Sequence, residues 1–247
     1  MLEKERFKRA IEEYEEQSDP HRIGTMNERM LHAVIKSCIA DSDDELEVKI
    51  GGKNIADVLK ENTVYEIQTE SLFPVKKKLD FYFSNTDHNV NIVFPVPREK
   101  YVCWADPESG ELSKKNRSPK KRTLTDYADT LIFLTDYIGD ERLTLTVLYI
   151  SECEYRNLDG KRSKDKKRGS TRIERVPIEL LFVEEYKTKD DYRFLLSRES
   201  RFTVKTYAKD KKLTSGRKVA CAIKMMLALG MIRICGKEGR CILYETI

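Results

Sequence analysis

The stretch Glu47–Gln68 constrains the fold more than any other part of the sequence. Apolar and charged residues alternate over 48–50, and Gly51-Gly52 then supplies residues suited to a hairpin turn. A second, largely apolar run covers 55–59, and a third covers 64–68 after a short polar turn. The pattern predicts three short strands joined by tight turns.

Two carboxylates interrupt the apolar runs of this stretch. Asp57 lies in the second run, and Glu66 lies between Tyr65 and Ile67 in the third. An ionised carboxylate in an apolar strand is costly unless it is paired or bound to a metal. Hard cations such as Mg2+ bind through one or two carboxylates together with water and phosphate oxygens. Glu66 and Gln68 are two residues apart, so both side chains point to one face of the strand. The residues predict a metal site, and a polar edge strand without a site is the other interpretation.

At these positions the chain resembles the PD-(D/E)XK nuclease superfamily, over roughly residues 27–105. Asp57 matches the family Asp, Glu66 matches the acidic position, and Gln68 stands where most members have Lys. A competence-protein branch of the superfamily shares this Gln and also reads A-D-V followed by E-I/F-Q. The resemblance implies an α/β (α+β) fold with a restriction-endonuclease-like mixed-sheet core. It also implies DNA hydrolysis with Mg2+ (or Mn2+), in which Asp57 and Glu66 hold the ion and Gln68 orients the attacking water.

The same resemblance assigns roles to two neighbouring helices. On the first core helix, predicted to begin at an Asn27 cap, Glu28 occupies a position that often joins the metal site. A Glu favoured in a first turn by the helix dipole is the alternative. On the helix after the strands, one residue of the Lys76-Lys77-Lys78 run would replace the charge that Gln68 lacks. A solvated basic face is the alternative there.

The C-terminal residues 188–247 have a different pattern. Three helices are predicted at 190–196, 202–211 and 216–229, followed by two strands at 232–235 and 241–244. This order resembles a winged helix-turn-helix over about 45 residues and implies DNA binding, with protein docking as the alternative. The predicted DNA contacts are Arg217, Lys218 and Lys224 on the recognition helix and Lys237 and Arg240 on the wing. We therefore predict two domains, 1–187 and 188–247.

The middle of the chain predicts further elements and two basic loops. We expect helices over 71–83, 124–138 and 174–185, and strands over 90–96, 101–105 and 143–152. The basic loops are Lys114–Arg122 and Arg156–Arg172. They are either solvated surface or a pair of phosphate-binding segments that flank the metal site.

Composition limits the class of protein. The 247 residues are 36% charged and 40% hydrophobic with a net charge of +4, so affinity for nucleic acid must come from local patches. The sequence has no apolar run of about 18 residues and no apolar N-terminal segment. We therefore expect no membrane partner and no secretion signal. Six scattered cysteines without a C-x-x-C pair predict a reduced, cytoplasmic protein.

These observations favour a metal-dependent DNA nuclease with a winged-helix module. The alternative is a non-enzymatic DNA-binding regulator that uses a degenerate nuclease core for binding or as a homodimer interface. A protein-interaction scaffold is a third interpretation.

Overall fold

The structure, a computed structural model, describes residues 2–17, 29–106, 109, 111–157, 159 and 170–247. The described residues form a mixed α+β fold. The α-helices are α1 (Lys4–Gln17), α2 (Arg29–Ile39), α3 (Val75–Asn85), α4 (Ala128–Leu131), α5 (Val204–Asp210) and α6 (Gly216–Ala228). The strands are β1 (Leu46–Lys49), β2 (Ile55–Lys60), β3 (Thr63–Ile67), β4 (Asn89–Ala105), β5 (Asn116–Arg117), β6 (Leu143–Asn157), β7 (Thr171–Tyr186), β8 (Arg201–Thr203), β9 (Ile232–Glu238) and β10 (Cys241–Thr246). Short 3-10 helices cover Asp43–Glu45, Leu124–Tyr127, Ile132–Leu134 and Lys189–Leu195.

Within the described residues, seven strands form one sheet in the order β1-β2-β3-β4-β6-β7, with β5 paired to β4. The chain divides into two compact units. The first comprises Met1–Thr69, Asn91–Arg122 and Thr146–Glu184, and the second comprises Glu70–Val90, Thr123–Leu145 and Glu185–Ile247. The predicted boundary near residue 188 stays a prediction.

The three strands predicted from the opening stretch are confirmed. Gly51 and Gly52 have φ angles of 74° and 56°, a conformation that glycine adopts without steric cost. Glu61 turns the chain between β2 and β3 with a φ of 54°. Both hairpins are antiparallel, so the local sequence pattern was sufficient to define this meander.

In the first unit, α1 and α2 pack against each other and against one apolar surface of the sheet. The apolar residues of α2 recur at helical spacing and are buried. The cluster draws residues from both helices and from β2, β3, β4, β6 and β7: Phe7, Ile11, Leu31, Val34, Ile35, Cys38, Val58, Ile67, Val93, Leu148, Ile150 and Leu180. It fixes the position of α2 relative to β2 and β3.

The helix predicted over 174–185 is wrong, because these residues belong to the long strand β7. Pro177 lies in this segment, and proline is favoured at the start of a helix. Proline is also tolerated in edge strands, where one row of amides lacks a partner, and β7 is the last strand in the sheet order. The basic loop predicted from Arg156 to Arg172 is correspondingly shorter, since Arg156 lies within β6 and Arg172 lies within β7.

The two strands predicted over 90–96 and 101–105 are one continuous strand, β4. Pro95 and Pro97 both lie within it. The two prolines are two residues apart, so both lack the amide on the same edge of the strand, and the other edge keeps its donors. The helix predicted over 71–83 begins later, at Val75, and the one predicted over 124–138 is divided into α4 and two 3-10 segments.

In the second unit, β8, α5, α6, β9 and β10 follow one another, and the strands form a sheet in the order β8-β10-β9. Thr203 caps α5 by accepting the Thr206 amide at 3.3 Å, and Gly230 ends α6 with a φ of 70°. Tyr207 and Phe202 are buried beside Tyr244 of β10.

Val204 on α5 and Leu227 on α6 are exposed apolar side chains. Met225 is buried instead, because α6 also contacts the helical segments over 124–134. A helix with two packed faces has a wider apolar stripe than a single partner requires. On the β9–β10 hairpin, Cys241 pairs with Glu238.

Candidate functional site

The hairpin of β2 and β3 brings Asp57 and Glu66 to the same end of a strand pair. The antiparallel register runs from Lys60 opposite Thr63 to Val58 opposite Tyr65. Asp57 and Glu66 are the next residues on their strands. The spacing that predicted two neighbouring carboxylates is therefore matched by the register.

Beyond the pair of Val58 and Tyr65, the bond from β2 to β3 is made by the Asp57 side chain and not by the backbone. Its Oδ2 accepts a hydrogen bond of 2.7 Å from the Ile67 amide on β3. A carboxylate that accepts a backbone N–H is stabilised in its ionised form. This bond holds the Asp57 carboxylate against the strand that carries Glu66, at the residue directly after it.

Helix α2 adds a residue that the sequence prediction did not assign to the site. His32 Nε2 lies 3.4 Å from Asp57 Oδ2, and about one third of the His32 side chain is exposed. The sequence signal was the spacing of His32, one turn after Glu28 on the same helix. Because α2 is anchored in the core by Leu31 and Ile35, the imidazole is held beside the carboxylate.

Glu66 is fully buried, and Gln68 is half-buried one strand step further along. The backbone N–H of Gln68 donates to the Val93 carbonyl at 3.0 Å, and this bond connects the end of β3 to β4. Of the three predicted catalytic residues, Asp57 and Glu66 thus lie on the paired strands β2 and β3, and Gln68 directly follows β3. Their identity as catalytic residues stays a prediction.

The donor set fits Mg2+ with the carboxylates available. Asp57 and Glu66 supply two oxygen-ligand side chains, and Mg2+ completes its coordination with water and phosphate oxygens. The described residues contain no group of three or more His, Cys, Asp and Glu side chains arranged to hold a metal. Glu28, the third predicted ligand, lies outside the described residues. The six basic residues at 161–168, in the second predicted basic loop, also lie outside them.

Only part of the Lys76-Lys77-Lys78 run on α3 is available to supply the positive charge that Gln68 lacks. Lys76 Nζ forms an ion pair of 2.8 Å with Asp136, and this hydrogen bond raises the pKa of Lys76. Lys77 is exposed. The replacement of the missing family lysine by this run stays a prediction.

The predicted DNA contacts of the C-terminal residues differ in their surroundings. Arg217 and Lys224 are exposed on α6, and Lys237 and Arg240 are exposed on the β9–β10 hairpin. Lys218 instead contacts the segment that precedes α4. Its ammonium donates to the Asp126 carbonyl and lies 5.6 Å from the centre of the Tyr127 ring. Among neighbours in sequence, Arg217 faces solvent while Lys218 contributes to packing.

Comparisons with known proteins give a family. The sequence model of a family described as a domain of unknown function, DUF8091, matches residues 29–187, more than half of the chain. The chain belongs to this family. The DUF8091 segment contains Asp57, Glu66 and Gln68, whereas the candidates on α6 and the hairpin follow it.

An uncharacterized protein of Treponema pallidum (strain Nichols) is 26% identical over 227 residues, which cover 90% of this chain and 87% of that protein. This similarity extends beyond the DUF8091 segment. No solved structure matches the chain. In the part of the chain that the structure describes, no helix is both long and apolar enough to cross a bilayer.

Proposed function

We propose that this protein is a Mg2+-dependent deoxyribonuclease of the PD-(D/E)XK type that uses residues 188–247 as a winged-helix DNA-binding module. The observation that carries the proposal is the Asp57 carboxylate bonded to the Ile67 amide, directly beside Glu66. Asp57 is opposite Glu66 in the register of β2 and β3, so this bond orients one carboxylate beside the strand that carries a second, fully buried one.

In this proposal Asp57 and Glu66 hold the ion, with Glu28 as a third ligand. Mg2+ supplies Lewis-acid polarisation of the phosphoryl group. The Gln68 carboxamide offers both a donor and an acceptor, so it orients the attacking water. The water oxygen would form a bond to phosphorus and lose a proton to solvent, while the bond from phosphorus to the leaving oxygen breaks and that oxygen takes up a proton from solvent. The bond from Ile67 keeps the Asp57 carboxylate oriented.

The order of elements in the C-terminal residues supports the DNA-binding part. A short strand, two helices and a hairpin follow each other, and β8 pairs with β10 at the side opposite β9. α6 exposes Arg217 and Lys224, seven residues apart and therefore on one face of the helix. Cations on the exposed face of the second helix suit phosphate and base contacts in a major groove.

The test is plasmid cleavage with Mg2+ or Mn2+ by wild type, Asp57→Asn, Glu66→Gln and Gln68→Lys. Both carboxylate variants should lose cleavage and keep DNA affinity measured with Ca2+, because each removes negative charge near the phosphate. Gln68→Lys should keep or raise activity, since it restores the residue common in the superfamily. Asp44→Asn, an exposed carboxylate of the same unit, is the matched control and should cleave as wild type does.

Absence of cleavage by wild type on duplex, nicked and single-stranded DNA with either metal would remove the nuclease proposal. If DNA affinity is then retained, the regulator alternative takes its place. That alternative has its own support in the exposed cations of α6 and the hairpin, which do not depend on Asp57 or Glu66.

A further inference from the structure

The paired strands β4 and β5 carry Trp104, the single tryptophan of the chain. The two strands are antiparallel, with Tyr101 opposite Arg117. Further along β4, the Ser113 backbone N–H donates to the Trp104 carbonyl at 2.8 Å, and the Trp104 backbone N–H donates to the Ser113 hydroxyl at 2.9 Å. The backbone of Trp104 is therefore held on both its donor and its acceptor.

The indole ring of Trp104 lies away from the buried face of its strand. Cys103 and Ala105 are buried, whereas Trp104 between them is half-buried. Successive side chains of a strand point to opposite faces, so the indole is on the other face from these two. Within the described residues, the ring makes no hydrogen bond and no contact with another ring or with a cation. An aromatic face and an N–H donor are left for a ligand.

A set of exposed lysines beside Trp104 has no ion-pair partner within the described part of the chain: Lys114, Lys115 and Lys121. The first two directly follow Ser113, which bonds the Trp104 backbone. Arg117 of β5, in contrast, forms an ion pair with Glu99. Because folding gives these lysines no carboxylate to bind, they are available to an anionic ligand.

The described carboxylates between β4 and β5 are separated from the lysines along the chain. Asp106 and Glu111 lie beyond the bridge that joins Ala105 to Leu112, on the side away from β5. The lysines follow on the side towards β5. A polyanion that contacts Trp104 would therefore extend towards the lysines and away from the carboxylates.

We propose that Trp104 and the three lysines form a binding surface for single-stranded DNA, in which one base stacks on the indole and the lysines bind phosphates. Proteins that bind single strands combine cations that follow the backbone with aromatic side chains on which bases stack. A duplex keeps its bases stacked on one another, so it presents no free base to the ring. That the strand is DNA rests on the proposed function, whereas the stacking surface itself does not.

The first experiment uses the fluorescence of Trp104, which reports on this surface alone because the chain has no second tryptophan. The full chain, without divalent metal, is titrated with a thymidine oligonucleotide while tryptophan emission is followed. Emission should fall as the strand binds, since a stacked base quenches the indole. A duplex of equal length, and an abasic strand with phosphates but no bases, should leave emission unchanged.

The second experiment measures the affinity of variants for a labelled single strand by anisotropy. Trp104→Ala should weaken binding by about tenfold, as expected for the loss of one stacked base. Trp104→Phe keeps an aromatic face and should retain most of the affinity. Lys114→Gln with Lys115→Gln should reduce the slope of log K against log salt by up to about 1.4, or about 0.7 for each phosphate of a single strand. This double variant should still show quenching at saturation, since it keeps the indole.

Each variant has a matched control. Phe73→Ala removes another exposed aromatic ring and should not change the affinity. Lys4→Gln with Lys8→Gln removes the same charge from exposed positions on α1 and should not change the slope. If Trp104→Ala does not fold, as judged by circular dichroism, the wild-type emission and the affinity of Trp104→Phe decide the question.

Unchanged wild-type emission at saturation with the single strand would overturn the surface, as would equal quenching by the duplex. An acidic peptide that binds with the same dependence on Lys114 and Lys115 and quenches as strongly would assign the surface to a protein partner instead. Failure of the nuclease proposal is distinguishable from these results. Quenching by the single strand without cleavage by either metal would retain the surface and lose the reaction. Cleavage, together with unchanged emission when DNA binds in Ca2+, would retain the reaction and lose the surface.

Discussion

The charges of the central strands and those of the C-terminal helix and hairpin are in opposite physical situations. Lys100, Glu154 and Arg156 are buried, and Glu154 binds both cations, so packing fixes their geometry. Arg217 and Lys224 are exposed, and folding alone gives no reason for their positions. The position of a buried charge is accounted for by the groups that it binds within the protein. Exposed cations that share one helix face have no such partners to account for them, so a ligand is the first explanation. The two regions should therefore respond to substitution in different ways.

The largest effect is expected in the buried network. Glu154→Gln removes the carboxylate partner of both Lys100 and Arg156, and breaking a buried ion pair costs about 3–5 kcal/mol. The free energy of unfolding, measured with urea, should fall by that amount. Glu99→Gln is the control, because its partner Arg117 is half exposed and an exposed pair contributes at most about 1 kcal/mol. Equal, small effects of the two substitutions would contradict the comparison.

The sequence predicted the meander and the C-terminal element order because both depend on local signals. Turn glycines, period-two alternation and helix caps lie within a few residues of the elements that they define. The pairing of Asp57 with Glu66 was predictable for the same reason, since a single short turn fixes the register. The mixed α+β class follows from these elements.

The buried network was not predictable, because it joins strands that are distant in sequence. Lys100 and Glu154 meet only because β4 and β6 are neighbours in the sheet, and a one-residue shift in register would separate them. The strand β7 was missed since its proline has two interpretations, and the choice depends on whether the strand is at an edge. His32 was missed as a contact of Asp57 because helix spacing does not state which strand a face will meet.

For the exposed cations of α6, we expect the second largest effect, and we expect it in DNA binding and not in stability. Arg217→Ala combined with Lys224→Ala should reduce the salt slope of DNA binding by up to about 1.8, or about 0.9 for each phosphate contact. The unfolding free energy should change by less than about 0.5 kcal/mol, as for surface substitutions in general. Lys4→Ala with Lys8→Ala on α1 removes the same charge and serves as the control. An unchanged slope would mean that α6 does not contact DNA.

A smaller effect separates two adjacent residues of α6. Lys218→Met removes the bond to the Asp126 carbonyl and the contact with the Tyr127 ring, and it should reduce the unfolding free energy by about 1 kcal/mol. Its effect on the salt slope should be smaller than that of Arg217→Ala, since the Lys218 charge is directed at the protein. Urea unfolding and anisotropy titrations on the two single variants measure both quantities. The reverse order would show that Lys218 leaves its packed position to bind DNA.

The smallest expected signal is the pH dependence caused by Glu152, because nearby cations oppose the effect of burial. Burial raises the pKa of Glu152 above its ordinary value of 4.5, so the folded state retains a proton over a pH range in which the unfolded state has lost it. Stability then falls as pH rises from the unfolded-state pKa through the folded-state pKa, by about 1.4 kcal/mol for each unit of difference.

Glu152→Gln cannot ionise at this position, so its stability should not show this decrease with pH. Its unfolding free energy relative to wild type should therefore be higher at pH 8 than at pH 4. Glu238→Gln, at an exposed position, is the control, and its difference from wild type should not follow this trend. If the Glu152→Gln difference is instead constant from pH 4 to pH 8, the Glu152 carboxylate is stabilised in the folded state by a donor or cation that offsets its burial.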